Sequence, residues 1–85
     1  MNTARHKPKD SARALLATNV VVLRRARGWS QDFLALEAGL HRTFVAHVER
    51  QARNIALDNL EKLAVALDVQ VHELLMPQPM VGRGS

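Results

Sequence analysis

His41, Arg42 and Thr43 follow one another directly, and His47 stands six places after His41. Arg42 carries a planar guanidinium fork that fits the O6 and N7 acceptors of guanine in the DNA major groove. Thr43 adds a hydroxyl that donates or accepts, and a methyl suited to the thymine methyl. The imidazoles at 41 and 47 donate or accept, so they do not single out one base. Further on, Arg50 and Arg53 suit phosphate oxygens, contacts that position a protein on a duplex without reading its sequence. Other chemistries fit these residues poorly. A spacing of six is not the i, i+4 spacing of two zinc-ligating histidines on a helix, His6 and His72 lie far off, and cysteine is absent. No metal site and no cofactor is expected. Serine, histidine and acidic residues occur without a nucleophile–base grouping, and the chain has no P-loop and no Gly-rich dinucleotide fingerprint. An enzyme is not expected.

Such side chains read bases only if rigid elements present them. Asp10 and Ser11 are good helix N-caps, and from there to Arg27 the pattern is helical, with Leu16, Val20 and Leu23 on one stripe. Gly28 stops that helix. Ser30 caps a second helix from Gln31 to Ala38, with Leu34, Ala35 and Ala38 inward, and Gly39 ends it. A third helix runs from His41 or Arg42 to Arg50 around Val45 and Val48. Residues 51–56 form a polar loop. A fourth helix spans Leu57 to Leu67, with Leu57, Leu60, Leu63, Ala64 and Leu67 inward, and Asp68 and Val69 break it. A short fifth helix from Val71 to Met76 ends at Pro77. Gln70 and Glu73 stand at capping-box spacing before it. The pattern holds no repeat and no strand, so the fold is all-α.

The chain has 85 residues, 47% of them hydrophobic, which allows one small packed domain. Twelve Lys and Arg against 8 Asp and Glu give a net charge of +4, which favours polyanions. Residues 1–10 hold Arg5, Lys7, Pro8 and Lys9 and read as a basic flexible arm able to touch phosphates. Residues 11–76 form the helical domain, and 77–85 read as a flexible Pro/Gly-rich tail. No apolar run approaches the ~20 residues that span a bilayer, and the N-terminus lacks the apolar region of a secretory signal. The absence of Cys suits a reducing cytoplasm.

Gln31 to Arg50 reads as two short helices joined by a tight turn. Ala35 is small where the helices cross, and Gly39 stands where the turn calls for positive φ. Together with Leu23-Arg24, Gly28-Trp29-Ser30-Gln31, Leu34-Ala35, Gly39-Leu40, Val45, Val48-Glu49-Arg50 and the Leu57…Leu60…Leu63-Ala64…Leu67…Val69 series, this segment resembles the Cro/repressor (XRE) helix-turn-helix family. The resemblance covers about residues 18–76. Arg42-Thr43-Phe44, Glu49-Arg50 and Arg53-Asn54 look particularly like the controller proteins of restriction-modification systems.

The resemblance implies a compact five-helix bundle of lambda-repressor-like type that binds double-stranded DNA as a homodimer on a roughly palindromic operator. It implies base contact by His41, Arg42, Thr43 and His47. It implies phosphate contact by Ser30, Gln31, Phe44, Arg50, Arg53 and Asn54, with Phe44 also open to a packing role. Arg24 and Glu49 match a partly buried ion pair between the first and third helices. Val71, Leu74, Leu75 and Met76 match a two-fold dimer face. Phe33 and Leu36 fall outside the inward face of the second helix. Packing on the extended first helix accounts for them, and a partner surface is the alternative. That surface, with 71–76, keeps open a second reading as the antitoxin of a toxin pair that also binds DNA. Three residues depart from the family pattern: Gln51 replaces a common glycine, Ile55 a common proline, and Ala56 a usual Ser or Thr cap.

Overall fold

The computed structural model describes residues 10–52 and 54–77. The expected N-terminal arm up to residue 9, Arg53, and the tail from residue 78 lie outside the described residues. The described residues form five helices and no strand: α1 (Ala12–Ala26), α2 (Gln31–Ala38), α3 (Arg42–Glu49), α4 (Leu57–Leu67) and α5 (Val71–Leu74). Two starts use serine caps. Ser11 Oγ accepts from the Ala14 amide at 3.1 Å, and Ser30 Oγ from the Phe33 amide at 3.0 Å. Each satisfies one of the amides that a helix start leaves without an internal partner. At α5 the Glu73 carboxylate accepts from the Gln70 amide at 2.8 Å, as the capping-box spacing predicts. Helices α3 and α4 begin after His41 and Ala56 without a side-chain cap.

The first four helices end alike. A residue in the left-handed region lets its own amide and the next one turn back onto carbonyls of the last turn. Gly28 (φ +70°), Gly39 (φ +69°), Gln51 (φ +59°) and Asp68 (φ +57°) hold those positions. After them the amides of Trp29, Leu40, Ala52 and Val69 donate to the carbonyls of Arg24, Ala35, His47 and Ala64 at 2.9–3.0 Å. Glycine takes this conformation without a Cβ penalty, whereas Gln51 and Asp68 each carry a strain on the order of 1 kcal/mol. The glycine missing after Glu49-Arg50 therefore leaves the geometry of the exit unchanged and adds strain to it.

Burial follows the helical stripes. Val20 of α1, Leu34 of α2, Val45 of α3, Leu63 and Leu67 of α4, and Leu74 of α5 are all 0% exposed. Each such side chain contributes roughly 1.5–3 kcal/mol of transfer free energy. Helix α3 packs on α1 and α2, α4 supports α2, and α5 closes against α1 and α4. Two expectations need correction. Leu57 is 75% exposed, because no element covers the first residue of α4, and the inward stripe starts at Leu60. Helix α5 stops at Leu74, two residues early, and Leu74 belongs to the core.

Asn19 ties down the end of α5. It is 1% exposed in the middle of α1, and its Nδ2 donates to the carbonyls of Leu74 at 2.9 Å and Met76 at 2.8 Å. The Leu74 carbonyl is one that the end of α5 leaves unpaired, and that of Met76 lies two residues beyond the helix. A four-residue helix has no stability of its own, so α5 stands on Leu74 in the core and on this amide.

Two expectations follow for stability, read by urea unfolding at fixed protein concentration. Asn19→Ala costs roughly 1–3 kcal/mol by stranding those carbonyls, and hydrogen exchange accelerates first in residues 71–76. Gln51→Gly raises stability by roughly 0.5–1 kcal/mol, the strain relieved less the added freedom of the unfolded chain, with an unchanged denaturant slope.

Candidate nucleic-acid interface

The site is built outward from one ion pair. Arg24 Nε donates to Glu49 Oε2 at 2.7 Å and Nη2 to Glu49 Oε1 at 2.9 Å, a two-pronged contact between α1 and the end of α3. Arg24 Nη1 donates to the Trp29 carbonyl at 2.8 Å, and Gln31 Nε2 donates to Glu49 Oε1 at 2.8 Å. The two charged side chains are only 10% and 8% exposed. Four segments therefore meet at one carboxylate and one guanidinium: α1, the turn after it, the start of α2, and the end of α3. Burial works against ionisation of Glu49. The hydrogen bonds from Arg24 and Gln31 and the positive charge of Arg24 outweigh it and hold the carboxyl below its ordinary value.

With its C-terminal end held, α3 buries Val45 and Val48 and leaves His41, Arg42 and Thr43 exposed at its other end. His47 is half-buried, and Arg50 is exposed just beyond the helix. Positions 42, 43, 46, 47 and 50 share one edge of the helix by the i, i+3, i+4 rule. His41 Nδ1 and Thr43 Oγ1 lie 3.2 Å apart, so the hydroxyl is already engaged. Between this edge and the start of α2 runs a groove of about 270 Å³, lined by Gln31, Asp32, Arg42, Thr43 and Ala46. Across it Arg42 Nη1 lies 3.5 Å from Asp32 Oδ2.

A helix-turn-helix family model (HTH_3) matches residues 22–74, more than half of the chain. This chain belongs to the XRE-type helix-turn-helix family. A "Neisseria hypothetical transcription factor" of Neisseria meningitidis serogroup B is 52% identical over 69 residues, which cover 81% of this chain and 65% of that protein. The chain thus spans just under two thirds of the length of that relative. "Control protein C.BamHI" of Bacillus amyloliquefaciens is 42% identical over 67 residues, 78% of this chain and 83% of that protein. The crystal structure of the restriction-modification controller protein C.AhdI from Aeromonas hydrophila superposes with a TM-score of 0.70 at 44% identity, over 73% of this chain and 94% of that one. The five-helix, lambda-repressor-like architecture implied by the residues is therefore the architecture of this XRE-family chain.

Within it, the structure brings His41, Arg42, Thr43 and His47 to one helix edge, with Gln31 facing Arg42 and Thr43 across the groove. The Ser30 hydroxyl caps α2, and Gln31 is a partner of Glu49, a role that its sequence position did not reveal. Phe44 is partly buried and packs on the core. Asn54 is exposed, and Arg53 lies outside the described residues. Of the residues expected at a dimer face, Leu74 is completely buried within the chain. Val71 and Leu75 pack partly on the core, and Met76 is half-buried. Phe33 sets its ring edge against Trp29 with centroids 5.0 Å apart, whereas Leu36, at 72% exposure, packs on nothing that would hide it. Asp32 and Ala46 were missed. Ala46 was legible, since it stands i+4 from Arg42. Asp32 was not, because only the crossing of α2 and α3 brings it near.

Among the described residues no cluster of three or more His, Cys, Asp or Glu is placed to hold a metal, and no helix is long and apolar enough to cross a membrane.

The depressed Glu49 carboxyl has a pH consequence. The folded chain binds this proton less readily than the unfolded chain does, so the pair stabilises fully above the unfolded value of 4.5 and loses that contribution as pH falls through the lower folded value. Thermal melts from pH 7 down to 2 are expected to show an acid-side loss that Glu49→Gln reduces. At pH 7 that variant loses roughly 2–4 kcal/mol, because Arg24 keeps its burial without its counter-charge.

Proposed function

We propose that this XRE-family protein is a dimeric transcriptional regulator that reads a roughly palindromic operator with the outer edge of α3. One observation carries the reading. The apolar side of α3 is spent on the core through Val45 and Val48, while its polar edge from His41 to Arg50 faces outward beside an open groove. An α-helix with one edge free has the width that the major groove admits.

The roles divide by chemistry. Arg42 offers its fork to guanine, and Thr43, His41 and His47 hold further base-edge positions. Arg50 and Asn54 are exposed beyond the helix, where they serve phosphates. On the other side of the groove, the first amides of α2 and the Ser30 and Gln31 side chains meet a phosphate, with the helix dipole favouring the anion. Glu49 keeps Gln31 in place for this. In a dimer, the partly exposed flanks of Val71, Leu75 and Met76 form the two-fold contact, and two copies of α3 enter successive major grooves about 34 Å apart. The low proportion of aromatic residues, 4%, favours duplex edges over stacking on single strands.

Selection from a random-sequence duplex pool, at two salt concentrations, tests the reading. Enrichment of a two-fold symmetric motif is expected, with sedimentation showing a dimer at the same concentration. Enrichment of no motif would end the proposal. Arg42→Ala is expected to cost roughly 1–3 kcal/mol on the selected duplex and to relax one base pair per half-site. Arg50→Ala weakens all duplexes alike and flattens the slope of log K against log salt by about 0.9 for each lost phosphate contact.

A further inference from the structure

The site as described contains one group that a DNA-binding edge has no simple use for. Asp32 is a carboxylate in the first turn of α2, on the wall of the groove that Arg42 and Thr43 share. Its side chain is 66% exposed, and Arg42, at 71%, reaches across to within 3.5 Å. An Asp in a first turn complements the helix dipole, and that ordinary role accounts for its presence in α2. It does not account for the reach of Arg42 toward it. Nor does it remove the cost of a negative charge where a chain of net charge +4 would meet a polyanion.

We infer that Asp32 is a positioning residue for Arg42 and a specificity determinant of the DNA-reading edge. The inference rests on the reading of α3 given above. A guanidinium has five N–H donors in a fixed fork. Asp32 lies against Nη1, which leaves the Nε and Nη2 side free for the two acceptors of guanine. Held there, Arg42 stays over the groove and does not swing to the nearest phosphate, where it would bind every sequence equally. The carboxylate also repels phosphates on any duplex. On the operator the base contact of Arg42 offsets that repulsion, whereas on other sequences nothing does. Asp32 therefore lowers affinity in general and lowers it most where the sequence is wrong, which is how a repulsive group creates selectivity.

Fluorescence anisotropy on the full chain tests this with two duplexes, the selected operator and a scrambled one, and with Asp32→Asn, Asp32→Glu, Arg42→Ala and the double variant Asp32→Asn/Arg42→Ala. Asp32→Asn is expected to tighten the scrambled duplex by about two- to fivefold, the range of an exposed charge contact. It should tighten the operator less or not at all, and relax a repeated selection at the base pair that Arg42→Ala relaxes. Asp32→Glu restores the selectivity. In the Arg42→Ala background, Asp32→Asn still tightens the scrambled duplex but no longer changes the selected motif. Equal tightening on both duplexes, or an unaltered motif in Asp32→Asn, overturns the inference while leaving the role of α3 intact. A wild-type chain that does not distinguish the duplexes overturns both. Urea midpoints of the variants separate a lost helix-dipole contact from a change in recognition.

Discussion

The geometry of the exposed edge depends on the pairing of Arg24 with Glu49. Helix α3 has eight residues, fewer than the ~12–15 below which an isolated helix is marginal in water. It exists because Val45 and Val48 are buried, with Phe44 packed beside them. The two-pronged contact at Glu49 ties its C-terminal end to α1. A buried ion pair adds little net stability, since the desolvation of both charges offsets most of their attraction. What it supplies is register: carboxylate and guanidinium satisfy each other in one orientation only. The same carboxylate takes a hydrogen bond from Gln31, and the guanidinium gives one to the Trp29 carbonyl. The start of α2 is thereby fixed relative to the end of α3, and the groove between them inherits its width from contacts at its closed end.

Chain reversals complete the frame. Only residues 39–41 lie between α2 and α3. A connection that short cannot wander, so its angle is set by the left-handed residue at its start. Gly39 takes that conformation freely, with nothing within 4 Å of where a Cβ would stand. The ends of α3 and α4 need the same backbone and obtain it from Gln51 and Asp68. Their hydrogen bonds match those at the glycines in length, so the packing of the neighbouring helices imposes the turn and the side chain bears the strain.

How much of this was legible in the sequence depends on the distance over which each feature is decided. The bounds of α2 were readable because Ser30 and Gly39 act on their own backbone. The stripe of α4 was readable from Leu60 onward, because helical period alone places those residues. Leu57 obeys the same period and is nevertheless exposed, since burial needs a neighbour and period does not supply one. The pairing of Arg24 with Glu49 and the helix-turn-helix assignment came from resemblance, as periodicity cannot join residues 25 positions apart. Asn19 left no trace. It sits beside the apolar stripe of α1 and looks like any polar residue there. Its task arises only from where α5 comes to rest. Asp32 is the same case at the site.

Charge is also sorted over the surface. The outer face of α2 and α4 carries Glu37, Asp58 and Glu61 against Lys62 around a groove of about 440 Å³, whereas the α3 edge and its exit carry Arg42 and Arg50. Lys62 offsets one of the three carboxylates around that groove, which leaves the face net negative. On the DNA-binding reading, a polyanion is repelled from one side and drawn to the other, and the duplex meets α3 before any base is read. Attraction of that kind is blind to sequence. On the same reading, discrimination begins where charge is withheld or tethered, and the carboxylate that lies 3.5 Å from Arg42, that of Asp32, belongs to a different helix. Recognition on this view is a property of the α2–α3 crossing, and the network at Glu49 that fixes the crossing bears on specificity without touching DNA.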